Sequence, residues 1–592
     1  MPPRKIRKTK DDSDEEDYAS SEESFDSNAN ESVVEGDGDE VEVSDVDSEI
    51  SIINCRCGNY EHPDGEVMLC CDDCDEWSHV RCVTEVDPNN LPDEWRCPLC
   101  VSRRQKSEDR KKAAAEKAEA LRLRKIEEAK RVDLRSKNLA AFPQSLATNI
   151  TFLDLSSNPA LSTLPSSVSQ LTALKTAFFS DCSFRVWPQE LATCPALEMI
   201  AFRGNKMASI PENAFPANLR WLILTNNELT AIPKSIGNCS KLQKCGLAGN
   251  RLSSLPVEMQ NCKKLALLRI SVNQFFEFPS WLLTMPELAW LGYAGNPGAP
   301  TPTHNLPPLE EIPFHDLTIQ KQLGEGASGF ISQAFWTKRN PQDGSILETK
   351  SVALKVFKGA VTSDGLPSDE MASCIAAGSH PNLITAIGFL SRHPQNASGL
   401  VLPLIPASYK ALGNAPSYET CTRDVYANGL SFSLEKVVTI LRGIASSALH
   451  LHARGISHGD LYAHNILVDN KTGFPVIGDF GAAFIYGREH GKPQYWTEGW
   501  EKLEVLAFGH LVEDLLALIV DEKVTGTASS STSANGDAAP VDGSAPPAAN
   551  AADSTSGVVA ALNELHRNCT LVNVTQRPYF YEIDRILKEL KA

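Results

Sequence analysis

The chain has 592 residues, of which 42% are hydrophobic, and a formal net charge of −19 at pH 7. This length predicts several domains, and the hydrophobic fraction excludes a wholly disordered protein. The longest apolar run, 503–520, contains four ionisable side chains, and the amino terminus is polar, so we expect neither a membrane span nor a signal peptide. We therefore expect a soluble, intracellular protein without membrane partners.

The amino-terminal tail, residues 1–51, changes from basic to acidic. Five Lys or Arg residues lie within the first ten positions, and residues 11–50 contain eighteen Asp or Glu and no Lys or Arg. Such a self-repelling, Ser-rich sequence cannot bury an apolar core, so we expect it to be disordered. The basic start is typical of a nuclear import signal, with a solvated basic terminus as the alternative. We accordingly expect a nuclear protein.

Seven cysteines and one histidine within residues 52–101 are paired at metal-ligand spacing. The pairs are Cys55 and Cys57, Cys71 and Cys74, His79 and Cys82, and Cys97 and Cys100. Four pairs supply two tetrahedral sites, and thiolate and imidazole ligands suit zinc. So short a segment buries too little apolar surface to fold alone, and bound metal would supply the missing stability. We predict a finger with two Zn²⁺; disulfides, the alternative, conflict with an intracellular protein.

Two tryptophans in this segment are also informative. Trp77 lies two residues before His79, and Trp95 lies two residues before Cys97. With the Cys-x-Cys start, this arrangement resembles the PHD finger family. The resemblance implies a cross-brace, in which one zinc is bound by Cys55, Cys57, His79 and Cys82 and the other by Cys71, Cys74, Cys97 and Cys100.

The resemblance further implies a reader of histone tails. Trp77, Tyr60 and Met68 would form an aromatic cage for a methylated lysine, because ring faces hold a quaternary ammonium. The acidic residues between 72 and 76 would receive a neighbouring arginine or the amino terminus of the tail. In the alternative, Trp77 only packs the interior of the finger, which is then a plain protein-interaction module.

Residues 102–131 form a charged segment of different composition. From 101 to 131 there are twelve basic and six acidic residues, with many alanines. This composition predicts a solvated helical linker. Because aromatic residues are not interleaved with the basic ones, we do not expect direct DNA binding.

Leucines recur at a near-constant interval over residues 132–298. Steps of 23, 22, 23, 23 and 23 residues separate Leu174, Leu197, Leu219, Leu242, Leu265 and Leu288. The clearest unit, 219–233, has the pattern L-x-x-L-x-L-x-x-N-x-L that is typical of leucine-rich repeats. We predict an α/β solenoid of about seven units, in which one asparagine per unit satisfies backbone groups after each strand. These asparagines are Asn158, Asn205, Asn227, Asn250, Asn273 and Asn296.

Strand positions between the leucines would face the concave side of the solenoid and bind a protein partner. Examples are Arg220, Trp221, Ile223, Arg269 and Trp290. A Pro-rich linker follows at 299–313, and we expect it to separate the repeats semi-rigidly from the remaining chain.

The carboxy-terminal residues 314–592 carry four motifs in a fixed order. A glycine-rich stretch, 323–329, precedes Lys355, and the sequence His-Gly-Asp at 458–460 is followed by Asn465 and by Asp-Phe-Gly at 479–481. This order resembles the eukaryotic-type protein kinase family, and with the preceding array it is similar to leucine-rich-repeat kinases. The resemblance implies an α+β bilobal domain. A low-complexity insert at 525–557 should form a surface loop.

By this resemblance, backbone N–H groups of the glycine-rich stretch would close over the ATP phosphates; its residues there are Gly324, Glu325, Gly326 and Gly329. Lys355 would contact the α- and β-phosphates and pair with Glu370. Asp460 would accept the proton of the substrate hydroxyl, and Asn465 and Asp479 would hold Mg²⁺.

The chain also departs from the family pattern. Gly459 and Tyr462 stand where many members have arginine and lysine, and no Ala-Pro-Glu follows the short segment after Asp479. Arg577 would normally pair with that missing glutamate, and we expect Glu498, Glu501 or Glu504 to replace it. We predict intact catalysis with a rebuilt substrate-docking segment.

The sequence thus predicts an ATP- and Mg²⁺-dependent protein kinase, for serine and threonine, directed to chromatin substrates by a histone-tail reader and a protein-binding array. The alternative is a chromatin-associated scaffold whose kinase domain is a pseudokinase with little phosphotransfer.

Overall fold

The computed structural model describes residues 68–82, 92, 94–300, 309–326, 328–340, 342–358, 361–362, 364–487, 494–520 and 555–590. The chain divides into two compact units, Met1–Ala118 and Glu119–Ala592. The predicted acidic tail, Tyr60, the zinc ligands Cys55 and Cys57, and most of the insert 525–557 lie outside the described residues.

The first unit contains a two-stranded antiparallel sheet and the start of a long helix. The strands are β1 (Met68–Cys70) and β2 (Trp77–His79). Helix α1 (Pro98–Ala129) is 32 residues long, and Cys100 is its buried residue. A run of Ala, Glu, Lys and Arg has high helix propensity and tolerates solvent on every side, which explains its length and exposure.

The repeat region, residues 131–300, is built on eight parallel strands. They are β3 (Arg131–Asp133), β4 (Phe152–Asp154), β5 (Thr176–Phe178), β6 (Met199–Ala201), β7 (Trp221–Ile223), β8 (Lys244–Gly246), β9 (Leu267–Arg269) and β10 (Trp290–Gly292). They lie side by side in chain order. Each repeat therefore adds one strand beside its predecessor, and the leucines at the 23-residue interval are fully buried between neighbours.

The asparagines form the ladder that the sequence predicted. The Asn250 side chain donates to the carbonyls of Leu224 and Leu247, both at 2.9 Å, and accepts from the Leu229 N–H at 3.1 Å. The other five asparagines of the series also bridge neighbouring turns. The prediction of structural asparagines is confirmed.

The carboxy-terminal region, residues 309–590, begins with a six-stranded mixed sheet. Its strands are β11 (Glu310–Pro313), β12 (Leu317–Glu325), β13 (Gly329–Arg339), β14 (Ile346–Phe357), β15 (Gly388–Ser391) and β16 (Gly399–Pro403). The order across the sheet is β11-β15-β16-β14-β13-β12. Helix α2 (Pro367–Ala377) follows β14 and starts with proline at its first turn, where a missing N–H costs nothing.

The rest of this region is mainly helical. Its helices are α3 (Leu434–Ala453), α4 (Gln494–Ala517), α5 (Thr555–Cys569) and α6 (Phe580–Glu589). Short strands complete it: β17 (Tyr409–Ala411), β18 (Ile456–Ser457), β19 (Ile466–Asp469), β20 (Pro475–Ile477) and β21 (Phe484–Ile485). Most of the apolar face of α3 is buried because its hydrophobic residues recur at helical spacing.

The repeat region and the carboxy-terminal region share their hydrophobic cores. Phe484 and Trp500 pack into the core of the repeats, and Leu267 and Trp290 of the repeats belong to the same buried cluster as residues of α3 and α4. Both regions belong to the same compact unit. The separation that we expected from the Pro-rich linker is therefore not found, because buried apolar contacts hold the two regions together.

Among the helices of the described ranges, none combines the length and the apolar character that crossing a bilayer requires.

Candidate active site

A buried ion pair joins the sheet to helix α2. Lys355 on β14 extends its Nζ to Oε1 of Glu370, and the same Nζ lies 3.6 Å from Oδ1 of Asp479. Burial by itself would lower the pKa of Lys355, but the carboxylates of Asp479 and Glu370 outweigh it and raise that pKa. The Lys355 ammonium is thus held charged beside two acidic groups.

The glycine-rich turn between β12 and β13 lies at the edge of this site. Gly326 N–H donates to Gly329 O at 2.9 Å. A Cβ on Gly324 or Gly326 would meet no described protein atom within 4 Å, whereas one on Gly329 would lie 2.5 Å from Val356 O. Packing therefore requires glycine at 329. The open space at 324 and 326 would allow the backbone to approach a phosphate chain closely.

The segment 458–465, called the 458–465 loop, holds the carboxylate of Asp460 in a fixed orientation. The Asn465 amide donates to Oδ2 of Asp460 at 2.8 Å and to its carbonyl at 3.0 Å. Because the amide nitrogen makes these bonds, the amide oxygen of Asn465 remains for a cation. Asp479, with φ of 56°, has a half-exposed carboxylate. One amide oxygen and one carboxylate are ligands that suit Mg²⁺.

Glu504 of α4 fixes the backbone of the 458–465 loop by hydrogen bonds, a role that the sequence did not indicate. Its carboxylate accepts from the backbone N–H groups of Gly459 at 2.8 Å and His458 at 3.2 Å. It also lies 2.6 Å from Nε2 of His452. On the other side of the loop, Asp424 Oδ1 contacts Nδ1 of His464 at 2.7 Å.

Arg269 of β9 reaches the same loop from the repeat region. Its Nη2 donates to Oδ1 of Asp460, its Nη1 to Gly459 O at 3.1 Å, and its Nε to Oδ1 of Asp364 at 2.8 Å. The sequence predicted that Arg269 lies on a face that binds a protein partner. In the structure the chain's own carboxy-terminal region covers this part of the face.

Trp290 of β10 makes a second contact with the loop. Its ring stacks on Tyr462 with centroids 4.2 Å apart, and its Nε1 donates to Leu461 O at 3.2 Å. Farther along the strand face, Arg220 donates to Glu419 O at 3.0 Å. Contacts to the carboxy-terminal region therefore continue over several strands.

Among the described residues, the Arg577 guanidinium lacks the carboxylate hydrogen-bond partner that the sequence predicted. Its guanidinium donates to the carbonyls of Leu571 at 3.0 Å, Lys502 at 3.2 Å and Pro286. Glu504 contacts the 458–465 loop, and Glu501 accepts from Phe580 N–H instead. Burial lowers the pKa of Arg577 to about 10. The arginine thus joins α4 to the repeats through backbone carbonyls.

In the first unit, four cysteines gather as a metal site would require. The Sγ atoms of Cys71, Cys74, Cys97 and Cys100 all lie within 4.8 Å of one another. Those of Cys74 and Cys97 are 3.8 Å apart, about the edge of a tetrahedron with Zn–S bonds of ~2.3 Å. Burial raises the pKa of Cys71, but backbone hydrogen bonds led by that of Cys97 lower it to about 7. This set fits zinc.

Other finger residues have definite places. His79 is fully buried, and Cys82 is half-buried. Trp77 pairs with Cys70 and Met68 pairs with His79, so Met68 and Trp77 lie diagonally on one face of the hairpin.

Two of the acidic residues near the finger's cysteines, Asp72 and Asp73, already have partners within the first unit. Asp73 accepts from Nε of Arg104 at 2.6 Å, and Asp72 accepts from Trp95 N–H at 2.6 Å. Their carboxylates are therefore engaged by residues of the first unit.

Comparison with protein families matches three parts of the chain. Residues 317–510 match the family of protein tyrosine and serine/threonine kinases, residues 55–100 match the PHD-finger family, and residues 218–239 match the leucine rich repeat family.

Similar proteins cover these same parts. The chain is 28% identical over 184 residues to a probable serine/threonine-protein kinase, gdt4, of Dictyostelium discoideum, covering 30% of this chain and 10% of that protein. It is 27% identical over 190 residues to the tyrosine protein-kinase src-1 of Caenorhabditis elegans, covering 32% and 31%. It is 39% identical over 49 residues to the PHD finger protein PERSISTENT TAPETAL CELL 1 of Oryza sativa subsp. japonica, covering 8% and 7%. The matches span a third or less of each of these relatives.

Proposed function

We propose that this protein, which combines a PHD finger, leucine-rich repeats and a protein kinase domain, transfers the γ-phosphate of ATP to serine or threonine hydroxyls of protein substrates. The observation that carries the proposal is the convergence of Lys355, Asp460, Asn465 and Asp479 beside the glycine-rich turn. A domain that only bound a partner would have no physical need for all four in one place.

In the proposed reaction, each residue acts by position or charge. Lys355, kept charged by Glu370, contacts the α- and β-phosphates, and backbone N–H groups of 324–329 cover the phosphates. Asp460 accepts the proton of the attacking hydroxyl. Asn465 and Asp479 would hold Mg²⁺, which would supply positive charge to neutralise the phosphates. Since little covalent help is needed, this positioning accounts for most of the catalysis.

Phosphate transfer from labelled ATP to a generic protein acceptor tests the proposal. Purified full chain with Mg²⁺ should label the acceptor, and Asp460→Asn should abolish labelling. Asp109→Asn on the exposed helix α1 is the matched control and should leave labelling unchanged. Equal labelling by the full chain and Asp460→Asn would reject the proposal.

A scaffold with a pseudokinase domain is the second candidate. The short segment after Asp479 and the engagement of Asp460 by Arg269 favour it. This candidate predicts ATP binding, measured by calorimetry, without labelling of any acceptor.

We further propose that the finger directs the kinase to histone tails in the nucleus. The shared face of Met68 and Trp77 supports a methyl-lysine site, and tethering raises the local substrate concentration. Full-length protein should bind a methylated histone-tail peptide, and Trp77→Ala should weaken binding at least tenfold, or about 1.4 kcal/mol. Phe276→Ala, at an exposed ring of the repeats, is the control. Equal binding by both variants would leave the finger as a plain interaction module.

A further inference from the structure

Arg269 is buried at the point where the repeat region contacts the active site. Only 4% of the residue is exposed, and its guanidinium contacts Asp460, Gly459 and Asp364. The contacts with Asp460 and Asp364 are charge-assisted, and such bonds are about twice as strong as neutral ones. A buried arginine with two carboxylate partners is an ordered group rather than a surface charge.

The neighbouring strands leave space for this side chain. Arg269 is paired in register with Gly246 of β8 and with Gly292 of β10. A Cβ on Gly292 would lie 2.9 Å from Cδ of Arg269. The strand face therefore directs the arginine towards the 458–465 loop through a gap that larger residues would close.

The residues directly beside Asp460 in the 458–465 loop carry no positive charge. Gly459 precedes the aspartate, and Tyr462, two residues after it, is buried under Trp290. Phosphoryl transfer spreads negative charge over the equatorial oxygens, and fixed positive groups stabilise that charge. In this chain, the guanidinium on the Asp460 carboxylate belongs to the repeats.

We propose that Arg269 is a positioning residue of the phosphotransfer site, so that the repeat region completes the active site of the kinase domain in cis. This inference rests on the proposed phosphotransfer activity. Arg269 holds one oxygen of Asp460 and Asn465 holds the other, which fixes the plane of the carboxylate. Each oxygen has a second lone pair, so the carboxylate still accepts a hydroxyl proton.

We expect Arg269 to remain in place during turnover, because the two regions are held together by more than this ion pair. Phe278 of the repeats packs on Trp496 and Trp500 with ring centroids 5.1 and 5.2 Å apart, and Tyr293 packs on Phe484 at 5.4 Å. Withdrawing the repeats would expose all of these rings to water, and each large aromatic side chain buries 150–250 Å². If Arg269 inhibited Asp460 reversibly, the interface between the two regions would have to be weaker than this.

Steady-state kinetics of Arg269→Gln test the proposal in the full-length protein. We expect kcat to fall about 100-fold, the size of effect seen when one preorganised donor is removed. The KM for ATP should stay within roughly threefold, because Lys355 and Glu370 are not disturbed. Arg269→Lys keeps the charge without the forked geometry and should give an intermediate kcat. Arg251→Gln, an exposed arginine of the repeats, is the matched control and should match the wild type.

The sign of the change distinguishes the outcomes. A kcat of Arg269→Gln equal to or above that of the wild type would overturn the inference, and a rise would identify Arg269 as a brake. Thermal unfolding checks that the variants fold. If Arg269→Gln does not fold, the kcat of Arg269→Lys tests the inference instead. If wild type and Asp460→Asn are equally inactive, the proposed function itself has failed, and with it the inference.

Discussion

Nε2 of His452 on α3 and the Glu504 carboxylate on α4 form a hydrogen bond of 2.6 Å in the interior of the kinase domain, and at most 3% of either side chain is exposed. Glu504 also accepts from the backbone of Gly459, next to Asp460. This pair therefore connects the packing of two helices with the position of the 458–465 loop.

Replacing Glu504 by Gln should destabilise the protein in a pH-dependent way. Burial raises the pKa of Glu504, but His452 and the loop N–H groups outweigh it and lower that pKa below the ordinary 4.5. The stabilisation is present above pH 4.5 and is lost as the pH falls through the lowered value. At pH 7 we expect a loss of about 3 kcal/mol. Urea unfolding of both proteins should show this difference shrinking below pH 4.5, and a difference independent of pH would contradict it. Glu589→Gln, at an exposed pair, should cost almost nothing.

Replacing only Lys355 of the buried pair of Lys355 and Glu370 should destabilise the protein more than replacing both residues. Lys355→Met leaves the Glu370 carboxylate buried without its cation, for a loss of about 3–5 kcal/mol. The double variant Lys355→Met/Glu370→Leu should recover part of that stability, because no uncompensated charge remains. Neither protein should transfer phosphate. A double variant less stable than Lys355→Met alone would argue against this account.

Trp290→Ala should weaken the contact between the repeats and the 458–465 loop. The ring is 2% exposed and stacks on Tyr462, so its removal should cost about 3–5 kcal/mol and lower kcat. Trp290→Phe should retain most of the stacking. Phe276→Ala removes a ring that is 75% exposed and should change neither stability nor activity. Differential scanning calorimetry beside the labelling assay provides the measurement.

Cys71→Ser should remove bound zinc from the finger. Its Sγ is one of four that lie within 4.8 Å of one another. A tetrahedral site that loses one of its four thiolates loses most of its affinity for the metal. We expect about one equivalent less zinc by atomic absorption. Cys70→Ser, at the adjacent cysteine outside the cluster, should keep the metal. Equal zinc content in both variants would show that the cluster is not a metal site.

The sequence predicted those features that are encoded locally. The 23-residue leucine interval predicted the repeats, and the buried asparagines recur at the same interval. The contact of Arg269 with Asp460 could not be predicted, because the two residues are 191 positions apart on elements with separate sequence patterns. Arg577 was expected to find a carboxylate, but the chain satisfies it with carbonyls, one of them from the repeats. Both contacts depend on how the two regions pack, and no local spacing encodes that packing.

Gly459 allows the sharpest test of this packing, since many kinases have arginine at the position. Its φ is +69°, and a Cβ would lie 2.5 Å from Ala482 O and 3.2 Å from Leu291 O of the repeats. We therefore expect Gly459→Arg to lower both stability and kcat, although it restores the residue common in the family. Gly344→Ala has a similar φ of +72° with no described atom within 4 Å of the added Cβ, so it should cost only the backbone strain of about 1 kcal/mol. If Gly459→Arg is as stable and as active as the wild type, the repeats do not press on the 458–465 loop in solution.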